Sequence, residues 1–152
     1  VFATLHTNDS VSSVARMLEL GVKPYLLASC LVGVLAQRLV RKICDACSYE
    51  VFLSDSETAA LDLKVKEGER LKAWKGEGCV NCRSTGYKGR SGIFELLLIN
   101  ERLRRMINED FDSKEMFKVA RQEGLMTLKE AAVKKLARGV TDFDEIIRVL
   151  SY

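Results

Sequence analysis

Two cysteine pairs, Cys44-Asp-Ala-Cys47 and Cys79-Val-Asn-Cys82, constrain this chain more than any other feature. A tight C-x-x-C turn lets two thiolates reach one ion. Two such turns complete the tetrahedral four-sulfur shell that structural zinc prefers. A closed shell leaves no position for water or substrate, so the ion would hold a fold together and do no chemistry. The 31 residues between the pairs exceed the usual ribbon spacing, so the insert must carry structure of its own. Two disulfides, or thiols that are merely buried, are the competing readings. Five cysteines, one of them outside the pairs, fit a reducing cytosol better than an oxidising compartment.

Bulk properties set few further limits. The 152 residues suit one ordinary domain or a few small subdomains. A net charge of +3 does not by itself argue for nucleic acid. No signal peptide is visible at Val1 and there is no starting Met, so the chain reads as a piece of a longer protein. The uncharged run from Pro24 to Ala36 has 13 residues, too few to span a bilayer, and predicts a buried core helix.

Along the chain, Val1-Phe-Ala-Thr-Leu5 predicts a buried strand. Asp9 or Ser10 is a suitable N-cap for a helix carrying Val11, Val14, Ala15 and Leu18, with Gly21 as its stop. Pro24 opens the next helix, which is expected to bury Leu26, Leu27, Cys30, Leu31, Val34 and Leu35. Gln37–Ile43 alternates polar and apolar and predicts a strand leading to Cys44. Between the cysteine pairs, Thr58–Leu63 reads as one short helix after an Asp55-Ser56 cap, within a Gly- and charge-rich stretch. A metal would replace a large apolar core there. Gly86-Tyr-Lys-Gly-Arg90-Ser-Gly92 reads as a glycine-dense turn before a strand over Ile93–Ile99. The remainder predicts helices: one capped by Asn100, one by Asp112-Ser113 and stopped at Gly124, one opened by a Thr127/Glu130 capping box and stopped at Gly139, and one starting at Thr141.

His6, the single histidine, sits where a strand would pass into a helix, the place where α/β sheets bind ligands. It reads either as a proton carrier or phosphate partner, or as a loop residue capping the next helix. Arg90, between Gly89 and Gly92, reads either as a phosphate-binding guanidinium or as a solvated turn residue. No G-x-x-x-x-G-K-[ST] phosphate loop and no G-x-G-x-x-G occurs, and no catalytic triad is readable.

Three segments taken together resemble one family. Thr4-Leu-His-Thr-Asn-Asp-Ser10 resembles the histidine box of the secretion ATPases. Leu35-Ala-Gln-Arg-Leu-Val-Arg41, running into Cys44, resembles the segment leading into their tetracysteine subdomain. Gly86-Tyr-Lys-Gly-Arg-Ser-Gly-Ile-Phe-Glu95 resembles the stretch after its second cysteine pair. The family is the cytoplasmic ATPases of type II secretion and type IV pilus assembly. Retraction ATPases of the same superfamily usually lack the tetracysteine insert, so the resemblance is to the assembly or secretion branch.

The resemblance implies an α+β chain built from an α/β fragment. Residues 1–43 would be the C-terminal tail of a RecA-like P-loop ATPase domain, 44–90 a tetracysteine zinc-binding subdomain, and 91–152 a strand with a C-terminal helical bundle. Cys44, Cys47, Cys79 and Cys82 would be ligands of a structural Zn²⁺. His6 would lie near the γ-phosphate of ATP in the intact enzyme, and Arg90 would reach nucleotide or a neighbouring subunit. The family's Walker motifs precede its histidine box, so ATP and Mg²⁺ would bind only in the intact parent and this piece alone would be inactive. Implied partners are other copies in a hexamer, an inner-membrane platform protein and a cytoplasmic adaptor. The implied location is the cytoplasm, peripheral to the inner membrane. The rival readings are a zinc-stapled interaction scaffold with no enzymatic role, and a zinc-ribbon nucleic-acid binder. The latter is disfavoured because Cys44 to Arg90 carries eight Lys/Arg against eight Asp/Glu.

Overall fold

Ile93, Glu95, Leu97 and Ile99 are buried while Phe94, Leu96 and Leu98 are exposed, the period-two pattern of a strand covered on one face. This strand, β4 (Tyr87–Leu98), pairs with β1 (Gly33–Ile43) in a two-stranded sheet. The computed structural model describes residues 1–66 and 68–151. Among them, seven α-helices and four strands form an α+β fold. The chain divides into two units, Val1–Gln37 with Phe94–Leu128 and Arg38–Ile93 with Lys129–Tyr152.

The first unit gathers four helices with the start of β1 and the end of β4. Helix α1 (Ser10–Glu19) begins at Asp9, whose carboxylate accepts the Ser12 N–H at 2.7 Å. Helix α2 (Pro24–Cys30) carries Pro24 in its first turn, where a missing N–H costs nothing. Helix α4 (Glu101–Glu109) is capped by Asn100 and α5 (Ser113–Gln122) by Asp112. Helix α2 packs on α4 and α1 on α5. Val14, Leu97, Leu103, Ile107 and Met116 form the centre of the core. One carboxylate is buried beside it. Glu95 Oε1 accepts the Ser10 N–H (2.8 Å) and hydroxyl (2.5 Å), and Oε2 accepts the Leu128 N–H at 3.2 Å. Glu95 thus satisfies free N–H groups at the first turns of α1 and α6 (Leu128–Ala137), where the helix dipole favours negative charge.

The second unit holds the end of β1, the antiparallel pair β2 (Ser48–Phe52) and β3 (Lys72–Gly76), the short helix α3 (Asp55–Ala60), the start of β4, most of α6, and α7 (Phe143–Leu150). Ser48 pairs with Gly76 and Phe52 with Lys72. Asp142 caps α7, accepting the Glu145 N–H at 2.9 Å, and also accepts the Tyr87 hydroxyl at 2.6 Å. Glu145, fully buried, receives the Arg41 N–H (2.8 Å), the Arg41 guanidinium (2.8 Å) and the Arg148 guanidinium (2.6 Å). Burial alone would raise its pKa, but these arginines outweigh that and hold it at about 2. The Tyr87 hydroxyl is pushed well up by burial and by its bond to Asp142.

Several sequence expectations are corrected. Val1–Leu5 forms no strand, and Val1 and Phe2 are fully exposed. A strand needs a ladder partner, and the described strands pair only as β1 with β4 and β2 with β3. The Pro24–Ala36 run is not one helix. It stops at Cys30 and becomes β1 from Gly33, where an added Cβ would lie 3.0 Å from the Leu97 carbonyl oxygen. Leu27 is buried, but Leu26, Cys30 and Leu35 are exposed, so the odd cysteine is no core residue. The glycine-rich Gly86–Gly92 segment is mostly strand, with Tyr87 to Gly92 inside β4. Helix α3 starts earlier than expected, capped by Ser54 in a capping box with Glu57. The last helix is capped by Asp142, not Thr141, whose hydroxyl instead donates to the Arg41 carbonyl.

Candidate metal centre

Strand β1 ends at Ile43 and delivers Cys44 into a tight turn, in which the Cys47 N–H donates to the Cys44 carbonyl at 3.2 Å. The second pair repeats this: the Cys82 N–H donates to the Cys79 carbonyl, also at 3.2 Å. The chain then leaves through Arg83 and Ser84, both at positive φ (53° and 60°), a reversal that turns it back toward β4. Two backbone bonds hold the turns together. The Glu77 N–H reaches the Cys47 carbonyl at 3.0 Å, and the Cys44 N–H reaches the Gly86 carbonyl at 2.9 Å. Gly76 and Gly86 make this approach possible. An added Cβ on Gly76 would sit 2.1 Å from the Gly86 carbonyl oxygen.

The four sulfurs converge within 4.8 Å of one another. Cys44 to Cys79 is 3.9 Å, Cys47 to Cys82 is 3.8 Å and Cys79 to Cys82 is 3.8 Å. Zn–S bonds of about 2.3 Å at tetrahedral angles put sulfurs about 3.8 Å apart, so the cluster fits such an ion. A disulfide needs about 2.05 Å, and all four are free cysteines, which sets the disulfide reading aside. Backbone N–H groups aim at two of the sulfurs. Cys82 Sγ accepts from Cys79 (3.1 Å) and Gly86 (3.3 Å), and Cys47 Sγ from Gly78 (3.4 Å). The N–H of Cys79, helped by that of Gly86, holds the Cys82 thiol down to about 6. Burial, opposed by the Gly78 N–H and aided by the neighbouring thiols, pushes Cys47 up to about 12. Four sulfurs this close cannot all ionise unless a cation neutralises them.

The other two candidates lie apart from this cluster in character. His6 is exposed, in an irregular segment before the Asp9 cap. Arg90 is exposed on β4, so it stands on a strand and not on the expected turn. Sequence reading missed the buried carboxylates Glu95 and Glu145. The signal for Glu95 was present: it occupies the inward register of an otherwise apolar strand, between Ile93 and Leu97.

A family model described as "Type II/IV secretion system protein" matches residues 1–148. The chain is 39% identical over 147 residues to the type IV pilus assembly ATPase PilB of Thermus thermophilus, covering 97% of this chain and 16% of that protein. It is 40% identical to the type II secretion system protein HxcR of Pseudomonas aeruginosa, over 98% of this chain and 28% of that protein. Against the type II secretion system ATPase E of Vibrio cholerae it is 38% identical, over 98% of this chain and 29% of that protein. The chain spans less than a third of the length of these relatives.

Proposed function

The chain belongs to the type II/IV secretion system protein family, and on that premise we propose that it is the C-terminal part of a hexameric ATPase that drives type II secretion or type IV pilus assembly. The observation that carries this reading is that nearly the whole of this chain matches part of relatives named as secretion and pilus assembly ATPases. No helix among the described residues is long and apolar enough to cross a membrane, which is consistent with a cytoplasmic motor held at the inner membrane by partners. Residues 1–43 would complete a RecA-like ATPase domain. His6 would stand near the γ-phosphate, and Arg90 would contact nucleotide or the adjacent subunit.

In this reading Cys44, Cys47, Cys79 and Cys82 hold a structural Zn²⁺, for which the sulfur geometry is suited. The ion supplies a rigid crosslink between the two cysteine turns. The protein's own backbone sets the turns, orients the sulfurs and shields Cys44 and Cys82 from water. Such a stapled element would pass domain motion to a membrane platform protein and a cytoplasmic adaptor.

The test uses the full-length parent protein. ATP turnover should fall about 10²-fold in His6→Ala, a loss suited to a residue that positions water or senses phosphate. Unchanged turnover would remove His6 from the site. The present chain alone, lacking a phosphate loop, should hydrolyse no ATP. A low-salt gel shift checks the nucleic-acid rival, and no retained complex is expected.

A further inference from the structure

Glu95 stands where the strand pattern requires an apolar side chain. It occupies the inward register of β4 between Ile93 and Leu97 and is only 3% exposed. Glu145, by contrast, lies between two arginines. The partners of Glu95 are the Ser10 N–H, the Ser10 hydroxyl and the Leu128 N–H, and no cation is paired with it among the described residues. A buried carboxylate without a counter-ion costs stability that a leucine in its place would not. Departures of this kind from the local pattern concentrate at functional sites.

What Glu95 grips is the start of α1. Ser10 is the first residue of that helix and is fully buried. The irregular segment with His6 runs directly into it. That segment is fastened to the same helical turn by polar groups. The Thr7 and Ser13 hydroxyls lie 2.5 Å apart, and the Ser13 hydroxyl donates to the Asp9 carbonyl at 3.0 Å. The Asp9 carboxylate accepts the Ser12 hydroxyl at 2.7 Å. Val1, Phe2, Ala3 and Leu5 are all exposed, so polar bonds and not apolar packing place the segment.

We infer that Glu95 is a positioning residue for ATP turnover, which clamps Ser10 and so fixes the segment that presents His6 to nucleotide. The inference rests on the role proposed for His6 above. A carboxylate only accepts, and the two oxygens of Glu95 take all three donors at once. A glutamine in its place would offer one oxygen. With that oxygen toward Ser10, the amide NH₂ meets the Leu128 N–H. Turned round, it meets the Ser10 N–H. Either way a buried N–H loses its acceptor and the clamp loosens.

The test uses the full-length parent protein. The variants are Glu95→Gln, Ser10→Ala and His6→Ala, with each of the first two also combined with His6→Ala. Ser10→Ala keeps the backbone bond to Glu95 and removes only the hydroxyl, so it is the milder probe should Glu95→Gln fold poorly. Met116→Ala is the control, because it disturbs the same unit's core without touching the segment. Glu95→Gln should lower kcat about tenfold and Ser10→Ala about threefold, each with KM for ATP within about twofold of wild type. Met116→Ala should leave kcat per folded molecule unchanged. The combined variants should be no slower than His6→Ala alone, since a residue that acts through another adds nothing once that one is gone. Normal kcat in Glu95→Gln, or in Ser10→Ala where Glu95→Gln does not fold, overturns the inference and leaves the role of His6 standing. So do losses that multiply in the combined variants, or an equal loss in Met116→Ala. Unchanged turnover in His6→Ala overturns both.

Discussion

The two units solve the same problem with different materials. In the first, twelve buried side chains such as Val14, Leu103 and Met116 form one apolar cluster, and the starts of α1, α4 and α5 are closed by side-chain caps. In the second, side chains such as Val40, Ile43, Leu136 and Ile146 are buried as well, but the cysteine turns are joined by backbone crossings and sulfur, and α7 is fixed by the carboxylate of Glu145 between two arginines. Apolar packing tolerates small adjustments, because its contacts are many and individually weak. A four-sulfur shell and a glycine crossing tolerate none. The second unit should therefore fail all at once when a single element is removed, and the first by degrees.

The largest effect should come from removing the zinc proposed for the four-cysteine cluster. Structural zinc contributes about 10 kcal/mol or more in small zinc-dependent folds. With chelator, hydrogen-exchange protection at the Cys44, Cys82 and Gly86 turns should collapse, while Leu103 and Met116 keep theirs. Equal loss in both units would break the comparison. Next is Gly76→Ala, whose Cβ would lie 2.1 Å from the Gly86 carbonyl. It should cost more than about 4 kcal/mol in urea unfolding, because rigid backbone must move, and zinc affinity should fall with it.

Met116→Ala, at a fully buried site, should cost about 3 kcal/mol through the cavity it leaves, with metal content unchanged. Glu145→Gln should cost about 2 kcal/mol, at the low end for a buried ion pair because Arg41 and Arg148 remain half in water. Its acid dependence has a definite sign. The Glu145 carboxyl is held at about 2, below its ordinary 4.5. Its stabilisation is complete above pH 4.5 and is lost as pH falls through 2. An acid titration of wild type should show that loss and the Gln variant should not. The smallest effect is Asp112→Ala, which removes the α5 cap and should cost about 1 kcal/mol by thermal melt.

What the sequence made legible was local chemistry. Caps such as Asp9, Asn100 and Asp112 announce themselves because a short polar side chain precedes an apolar period, and Gly124 and Gly139 stop helices where φ is positive. The cysteine spacing foretold the sulfur cluster for the same reason. What stayed hidden depends on partners distant in the chain. Strands β2 and β3 are short, and their pairing spans a long insert. The Pro24–Ala36 run has no charge to separate α2 from β1, so its length and Pro24 argued for one helix, and Gly33, where β1 begins, was the marker passed over. Val1–Leu5 has strand composition without a ladder partner among the described strands. For His6 and Arg90, the resemblance supplies roles that exposure and position alone do not carry.

Trp74, the single tryptophan, lies on β3 with its ring against Gly139, where an added Cβ would come within 3.1 Å of it. Lys72 Nζ sits 5.9 Å from the same ring. The chain therefore carries one indole fluorophore beside four tyrosines, and it resides in the unit that holds the cysteine cluster. Excited at the red edge, where tyrosine does not absorb, its emission is an optical gauge of that unit. A red shift on adding chelator, ahead of any change in helical circular dichroism, would separate the two unfolding events in a single cuvette without a label.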